Sequence, residues 1–215
     1  FGIPTAQGRI TPNELFLTHH AAPVDFVTGT AYILYIYETF AFAVALALFA
    51  RAPETRRMLR RFGWTFLAVN VAGILTYYLY PAAPPWYAQL HGFGPVDLTV
   101  QPSPAAASRW DDLTGIPYFK GFYSRGATVF GAIPSLHATL PFVCFLYARE
   151  LRHRALTLGA FAFFLLVCFS AVYLQHHYIL DLLVGLAYAG AGYFIDRRLR
   201  RPPTPPHAPA QPALT

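Results

Sequence analysis

Five long runs of apolar residues dominate this sequence, and they occupy residues 26–50, 62–80, 136–148, 155–175 and 178–195. A helix that crosses a bilayer needs about 20 mainly apolar residues, and the third of these runs is the shortest. Only 12% of the 215 residues are charged, which is about half the share found in ordinary soluble domains. The pattern predicts an all-α, polytopic transmembrane bundle with five membrane-spanning helices, and it excludes an ordinary soluble fold.

The basic residues predict which side of the membrane each loop faces. Twelve of the sixteen lie in the connection after the first run, the connection after the third run and the tail after the fifth run. Positive residues concentrate on the cytoplasmic side of membrane proteins. Residues 81–133 and the corner at residues 176–177 are therefore expected on the non-cytoplasmic side, as is the N-terminus. We expect residues 81–133 to form a long outer loop that contains short helices.

The two ends of the chain differ from its apolar middle. Because an outside N-terminus begins here with Phe1 rather than methionine, we expect a sixth membrane helix upstream in the native gene. The Thr-Pro-Asn-Glu segment at 11–14 is typical of a capping box and predicts a short interfacial helix to about residue 20. Residues 1–201 are expected to form one membrane-embedded domain, and the proline-rich residues 202–215 a disordered tail.

Three ionisable side chains near the outer ends of the runs are the first candidates for chemistry. His177 precedes Asp181 by four residues, so on a helix the carboxylate can meet the imidazole and fix its tautomer. His137 follows Ser135 and Leu136 at the start of the third run, where the free N–H groups of a helix N-terminus form an anion site. This set favours phosphoryl transfer through a histidine nucleophile over a zinc site. The alternatives are a structural hydrogen bond at 177–181 and two interfacial histidines bonded to loops.

The segments that carry these residues resemble a known family. Pro-Ser-Leu-His at 134–137 and His-x-x-x-Asp at 177–181 resemble the second and third signature motifs of the type 2 phosphatidic acid phosphatase superfamily. Three longer stretches, at 80–87, 130–137 and 173–181, resemble the inositol phosphorylceramide synthase branch of that superfamily. The motifs occur in the family's order and on one side of the predicted bundle.

The resemblance implies a role for each of the three residues. His177 would attack the phosphorus of a lipid phosphodiester and become a phosphohistidine, while Asp181 would orient and stabilise its ring. His137 would protonate the departing alkoxide and later activate the acceptor hydroxyl, first as an acid and then as a base. The scheme needs no metal and no other cofactor.

The sequence departs from the superfamily pattern where the phosphate would find its cations. The usual first motif, with its lysine and Arg-Pro pair, is absent, and Ser170 is followed by Ala171 instead of arginine. Lys120 and Arg125, in the outer loop before the third run, are the candidate phosphate-binding cations, and Arg109 is a weaker candidate. The alternative for all three is an ordinary solvated loop charge.

A few other residues have open interpretations. Glu38 is the only charged residue inside the first run. Charged residues inside a membrane mark either function or a buried pair, so Glu38 has two interpretations: a hydrogen bond within the bundle or a contact with substrate. His176 points away from His177 on a helix and is expected to be structural or to contact a headgroup. Tyr123 fits an aromatic belt at the outer interface.

Taken together, the residues and the resemblance favour an integral membrane phosphotransferase. It would move a phospho-headgroup, such as phosphoinositol from phosphatidylinositol, from a phospholipid donor to a ceramide-like lipid alcohol. It would lie in a bacterial inner membrane or a Golgi-type membrane with its site on the non-cytoplasmic face. The alternatives are a lipid phosphatase of the same superfamily, a redox protein with two histidine haem ligands, and a transporter. The lack of internal repeats disfavours the transporter. Arginine clusters that alternate with apolar runs disfavour a nucleic-acid partner.

Overall fold

The structure of the protein, a computed structural model, describes residues 3–5, 8–49, 52–126 and 128–199 and is mainly helical there. The predicted tail at 202–215 and its boundary at 201 lie outside the described residues. A short antiparallel hairpin of β1 (Ile3–Thr5) and β2 (Gly8–Ile10) opens the chain. The α-helices that follow are α1 (Pro12–Thr18), α2 (Ala22–Leu48), α3 (Pro53–Leu79), α4 (Pro85–His91), α5 (Ser108–Thr114), α6 (Tyr118–Tyr123), α7 (Leu136–Glu150), α8 (Arg154–Tyr173) and α9 (Ile179–Leu199).

Four of these helices, α2, α3, α8 and α9, are long and apolar enough to cross a membrane. They correspond to four of the five predicted runs, and the all-α polytopic bundle is confirmed. The third run differs from expectation, because α7 has only 15 residues. At 1.5 Å per residue it is about 22 Å long, against about 30 Å for the hydrocarbon core of a bilayer. The described part of the chain therefore has four candidate spans rather than five.

The short helix α7 is the central element of the bundle. It packs against α2, α3, α8 and α9, and its Val143, Cys144 and Tyr147 side chains are fully buried. Its N-terminus is capped by Ser135, whose hydroxyl accepts a hydrogen bond from the N–H of Ala138. Because protein surrounds α7 on these faces, its ends can be satisfied inside the bundle and need not reach the membrane surfaces.

The outer segment forms a cap of short helices, as expected for residues 81–133. Helices α4, α5 and α6 lie in this segment, and α1 begins at the predicted capping box of Thr11 and Glu14. An ion pair joins α5 to α2, with Nε of Arg109 at 2.7 Å from Oδ1 of Asp25. The hydroxyl of Tyr173, at the end of α8, donates to the same carboxylate oxygen at 2.9 Å. The cap is thus held to two of the long helices at their outer ends.

A charged network closes the opposite end of the bundle. Arg61 of α3 donates two parallel bonds to Glu150, the last residue of α7, at 2.7 and 3.0 Å. Its Nε donates to Asp196 of α9 at 2.6 Å, and the hydroxyl of Tyr147 donates to the same Asp196 oxygen at 3.2 Å. A carboxylate at a helix C-terminus opposes the helix dipole, so Glu150 depends on Arg61 for its stability. One guanidinium therefore joins α3, α7 and α9.

We expect replacement of Arg61 by methionine to destabilise the bundle strongly. The substitution removes the guanidinium that donates three hydrogen bonds to Glu150 and Asp196. Such a loss costs about 3–5 kcal/mol in fully buried pairs, and less is expected here because Glu150 is partly exposed and Arg197 lies near it. Thermal unfolding of the purified protein in detergent, followed by its monodisperse fraction, measures the effect. Arg57→Met removes the same charge from an exposed position of α3 and is the matched control. Equal melting temperatures for the two variants would contradict the role of the network.

Candidate active site

The link between α8 and α9 holds the backbone of His177 in place. Gln175 adopts φ 68°, in the left-handed region, and turns the chain at the end of α8. The backbone N–H groups of His176 and His177 both donate to the carbonyl of Ala171, at 3.1 and 3.0 Å. From α1, Nδ2 of Asn13 donates to the carbonyl of His177 at 3.2 Å. These bonds fix the backbone from which the His177 ring projects.

Two oxygen atoms on one side of the His177 ring define its tautomer. Nδ1 lies 3.0 Å from the carbonyl oxygen of Ala132 and 3.5 Å from Oδ2 of Asp181. A carbonyl oxygen and an ionised carboxylate can only accept, so Nδ1 carries the ring proton and donates it to Ala132. Nε2 is left with a free lone pair, which is the form that a nucleophile requires.

Asp181 contacts His177 less closely than a continuous helix would allow. Helix α9 begins at Ile179, so His177 precedes the helix while Asp181 lies in its first turn. Oδ2 of Asp181 accepts a 2.8 Å bond from the N–H of Tyr178, and its 3.5 Å distance to Nδ1 of His177 is longer than an ordinary hydrogen bond. The closer acceptor is Ala132, which the sequence analysis missed because a backbone carbonyl has no side-chain signal.

His137 meets His177 directly. Nδ1 of His137 lies 3.1 Å from Nε2 of His177, although the two residues are forty positions apart in the chain. Because Nε2 of His177 holds a lone pair, the proton in this contact belongs to His137. The hydroxyl of Tyr32, on α2, lies 3.1 Å from the same Nδ1. The structure thus brings together the two histidines and the carboxylate that the sequence analysis selected.

The start of α7 is bound tightly to α9. The N–H of Ser135 donates to the carbonyl of Asp181 at 3.0 Å, and Oγ1 of Thr139 donates to the carbonyl of Gly185 at 3.0 Å. A Cβ at Gly185 would lie 2.5 Å from the carbonyl oxygen of Ser135, so this approach requires glycine. Ser135 is fully buried and caps the helix, and the Leu136 side chain packs against α3. These two predicted phosphate-binding positions therefore lie beside His137.

A column of four stacked rings runs from α6 to His137. Tyr123 stacks on His176 at 4.8 Å between ring centroids, His176 on Tyr32 at 5.3 Å, and Tyr32 on His137 at 4.1 Å. His176 also donates through Nε2 to the carbonyl of Pro104 at 3.2 Å. Burial, followed by the charge of the adjacent histidine, lowers the pKa of His176 to about 3. His176 is therefore neutral near pH 7 and holds the outer cap against the site. No sequence pattern indicates that it stacks with Tyr32 and Tyr123.

The predicted phosphate-binding cations do not contact the histidines. Nζ of Lys120 lies 2.6 Å from Asp112, and both side chains are exposed. Arg125 borders an outer surface depression beside α6, and Arg109 is paired with Asp25. Across the described residues, none of the three cations forms a hydrogen bond or ion pair with either histidine. Within the same ranges, no group of three or more His, Cys, Asp or Glu side chains is arranged to hold a metal ion.

Two cavities flank the histidine pair. One, of about 80 Å³, reaches His137 and is walled by aromatic and aliphatic side chains of α2 and α6, among them Tyr35 and Phe122. The other, of about 470 Å³, lies beside Asp181 between α1, α3 and the start of α9. The free Nε2 of His177 faces His137, so the small aromatic cavity lies on the reactive side. The larger cavity lies on the carboxylate side.

Comparison with known proteins identifies the family of the chain. The family model described as PAP2 superfamily matches residues 10–195. The chain is 35% identical over 194 residues to phosphoinositol dihydroceramide synthase of Bacteroides thetaiotaomicron, which covers 90% of this chain and 62% of that protein. It is 35% identical over 155 residues to inositol phosphorylceramide synthase of Candida albicans, 70% of this chain and 31% of that protein. The catalytic subunit of the Schizosaccharomyces pombe synthase is 32% identical over 163 residues, 75% of this chain and 37% of that protein.

These relatives are longer than the present chain, which spans less than two thirds of the length of each. No solved structure matches the chain. The resemblance suggested by the motifs at 134–137 and 177–181 is nevertheless confirmed, because the matched region contains both motifs and nearly all of the bundle. The chain belongs to the PAP2 superfamily, the type 2 phosphatidic acid phosphatase superfamily, and is similar to its inositol phosphorylceramide synthases.

Proposed function

We propose that the protein is an integral membrane phosphotransferase that moves a phospho-headgroup, phosphoinositol by analogy with its relatives, from a phospholipid to a ceramide-like lipid alcohol. The observation that carries this proposal is the contact between His137 and His177, in which the unprotonated Nε2 of His177 faces His137 and accepts its hydrogen bond until a donor phosphate enters. The names of the relatives, phosphoinositol dihydroceramide synthase and inositol phosphorylceramide synthase, supply the substrate class.

In the first step, Nε2 of His177 attacks the phosphorus of the donor. A P–N bond forms while the bond between phosphorus and the diacylglycerol oxygen breaks. His137, in its protonated form, gives a proton to the departing oxygen, so diacylglycerol leaves as a neutral alcohol. The headgroup phosphate remains on His177 as a phosphohistidine, and Nδ1 keeps its proton.

In the second step, the lipid alcohol takes the headgroup. Neutral His137 accepts the proton of the acceptor hydroxyl, the oxygen attacks the phosphorus, and the P–N bond breaks. The electron pair returns to Nε2 of His177, and His137 ends protonated, as it began. The cycle therefore consumes no net proton and needs no group beyond the two lipids.

Asp181 and Ala132 support the charged ring in the intermediate. When Nε2 carries phosphorus and Nδ1 carries hydrogen, the His177 ring is formally cationic. The carbonyl of Ala132 at 3.0 Å keeps the proton on Nδ1, and the carboxylate of Asp181 at 3.5 Å lowers the energy of the positive ring. We assign Asp181 a stabilising role and Ala132 the role of fixing the tautomer.

The surroundings of the histidine pair favour transfer over hydrolysis. The cavity beside His137 is small and is walled by Tyr118, Phe119 and Phe122 of α6 together with residues of α2. Excluding water protects a reactive intermediate for its intended acceptor. A lipid alcohol can approach from the bilayer, whereas water must pass the aromatic cap.

Phosphate binding is proposed at the start of α7 and on the outer cap. Ser135 and Leu136 lie at the positive end of the α7 dipole, next to His137. Lys120 belongs to α6, whose aromatic side chains cover the cavity, and Arg125 follows the same helix. We propose that these two cations reach the phosphate when the donor displaces α6.

We expect His177→Ala to reduce headgroup transfer by at least about 1,000-fold, because removal of a catalytic nucleophile leaves only binding and positioning effects. Asp181→Asn should reduce the rate less and leave measurable turnover. The assay follows phosphoinositol ceramide formation by mass spectrometry in proteoliposomes that contain phosphatidylinositol and dihydroceramide. His91→Ala, an exposed residue of the outer cap, is the control. Near wild-type turnover by His177→Ala would overturn the histidine mechanism.

We expect transfer to exceed hydrolysis when a lipid alcohol is present. The physical reason is the water exclusion provided by the aromatic cavity beside His137. The ratio of headgroup-bearing lipid to free phospho-headgroup, measured while the acceptor is titrated, checks this. If hydrolysis dominates at every acceptor level, the protein is a lipid phosphatase with the same catalytic residues.

We propose that the site faces the non-cytoplasmic side, since most arginines lie at the other end of the bundle. Ser124→Cys, exposed on the outer cap, should then react with a membrane-impermeant maleimide from the periplasmic or lumenal side. Arg60→Cys, exposed on α3 near the Arg61 network, should react only after the membrane is permeabilised. Of the two native cysteines, Cys144 is fully buried, and Cys168, which is partly exposed on α8, is replaced by alanine in both variants. The reverse labelling pattern would invert the proposed orientation.

A further inference from the structure

A third cavity, of about 660 Å³, lies away from the histidine pair between two membrane-spanning helices. It is a groove whose walls include Phe42 and Leu46 on α2 and Leu156, Gly159 and Phe163 on α8. Its lining is almost entirely hydrocarbon. We call it the α2–α8 groove; neither the proposed phosphoryl transfer nor the packing of the bundle accounts for it.

Glu38 is the only ionisable side chain that lines the α2–α8 groove within the described residues. The thiol of Cys144 lies beside its carboxyl group, but Oε2 is buried and has no hydrogen-bond partner. A buried polar atom without a partner is costly, above all inside a membrane, so such groups mark a site that a ligand completes. Oε2 can accept one N–H or O–H bond.

The groove begins close to the catalytic pair. Tyr35 packs on the ring of His137 at 4.3 Å between centroids, and Glu38 follows Tyr35 by three residues on the same face of α2. Side chains on a helix lean toward its N-terminus, so the Glu38 carboxyl leans toward the His137 end. From Glu38 to Phe49 the groove follows α2 away from His137 for about 16 Å, roughly half of the hydrocarbon core.

The position of the groove determines the kind of molecule that can occupy it. Both walls belong to membrane-spanning helices, so an occupant enters from the bilayer and carries a hydrocarbon chain. Near its polar end the occupant must offer one hydrogen-bond donor to Glu38. The chains of a diacyl phospholipid are joined through esters, which cannot donate. A ceramide-like alcohol carries an amide N–H close to the hydroxyl that reacts.

We propose that the α2–α8 groove binds a hydrocarbon chain of the acceptor lipid, and that Glu38 accepts a hydrogen bond from the acceptor's amide N–H. This inference rests on the proposed function and adds to it the residue that selects an amide-containing acceptor. With the chain in the groove and the amide at Glu38, the terminal hydroxyl extends toward His137. An ester-linked alcohol leaves Oε2 without a partner and binds more weakly.

The first test compares two acceptors in the full-length protein. Glu38→Leu should raise the KM for dihydroceramide at least about tenfold, while Glu38→Gln, which retains a carbonyl acceptor, should restore most of the affinity. Headgroup exchange onto isotope-labelled diacylglycerol uses the same histidines without an amide, so its rate should be unchanged in both variants. Equal effects of Glu38→Leu on the two acceptors would overturn the role of Glu38.

A second pair of variants tests the groove itself. A Cβ placed on Gly159, which lines the groove, meets no heavy atom within 4 Å, and the same holds for Gly190 on α9, outside the groove. Gly159→Phe fills the groove and should raise the KM for long-chain dihydroceramide at least about tenfold, with a smaller effect on a short-chain analogue. Gly190→Phe is the matched control and should behave as wild type. Unchanged kinetics for Gly159→Phe would show that the groove is not used.

A binding experiment separates this inference from the proposed function. The probe is a ceramide with a photoreactive group in its acyl chain, bound to His177→Ala protein, which cannot turn over. We expect cross-links to residues 41–49 of α2 and 155–163 of α8, and their loss in Gly159→Phe. Cross-links there without transfer by the wild-type protein would reject the proposed function and keep the groove as a lipid site. Transfer by the wild-type protein with cross-links elsewhere would reject the groove and keep the function.

Discussion

Both ends of the central helix α7 have to be satisfied inside the protein, because this helix is too short to reach both membrane surfaces. In a hydrocarbon core there is no water to bond the free groups of a helix end. At one end Ser135 caps the helix and bonds to the backbone of Asp181; at the other, Glu150 is paired with Arg61. The bonds that anchor the outer end also place His137 against His177. The geometry of the site is therefore a consequence of how α7 is buried.

The sequence was sufficient to predict that His137, His177 and Asp181 lie close together, because their motifs and the predicted topology place all three at one end of the bundle. It was insufficient for the carbonyl of Ala132, which fixes the tautomer of His177, because every residue carries a carbonyl. It could not show that the apolar run at 136–148 forms a helix of only 15 residues, since such a run is equally consistent with a helix buried by protein and one exposed to lipid. The ring column through Tyr32 depends on how the outer cap docks, which no local pattern encodes.

The charge balance of the histidine pair is unusual for the phosphate site proposed above. Arg109 is paired with Asp25 and stacks on Tyr173, and His176 is neutral because burial depresses its pKa. Among the described residues, no arginine or lysine side chain forms a hydrogen bond or ion pair with His137 or His177. In the proposed mechanism the positive charge comes from the two histidines themselves, first from protonated His137 and then from the phosphorylated ring of His177. Such a site binds the free anion weakly and stabilises the transferring group, which suits turnover better than retention of a headgroup.

The direction of the His177 lone pair has a further consequence for the order of events. Nε2 faces His137, which lines the small aromatic cavity, whereas the larger cavity is lined by Asp181, on the side of the ring where Nδ1 is bonded. In the proposed mechanism, the departing diacylglycerol oxygen and the attacking hydroxyl both exchange a proton with His137, so both occupy the same position in turn. The first product would then have to leave before the acceptor hydroxyl enters, which makes the proposed reaction a double displacement. The α2–α8 groove begins one helical turn from Tyr35. The proposed acceptor could therefore place its hydrocarbon chain in the groove while the position beside His137 is still occupied.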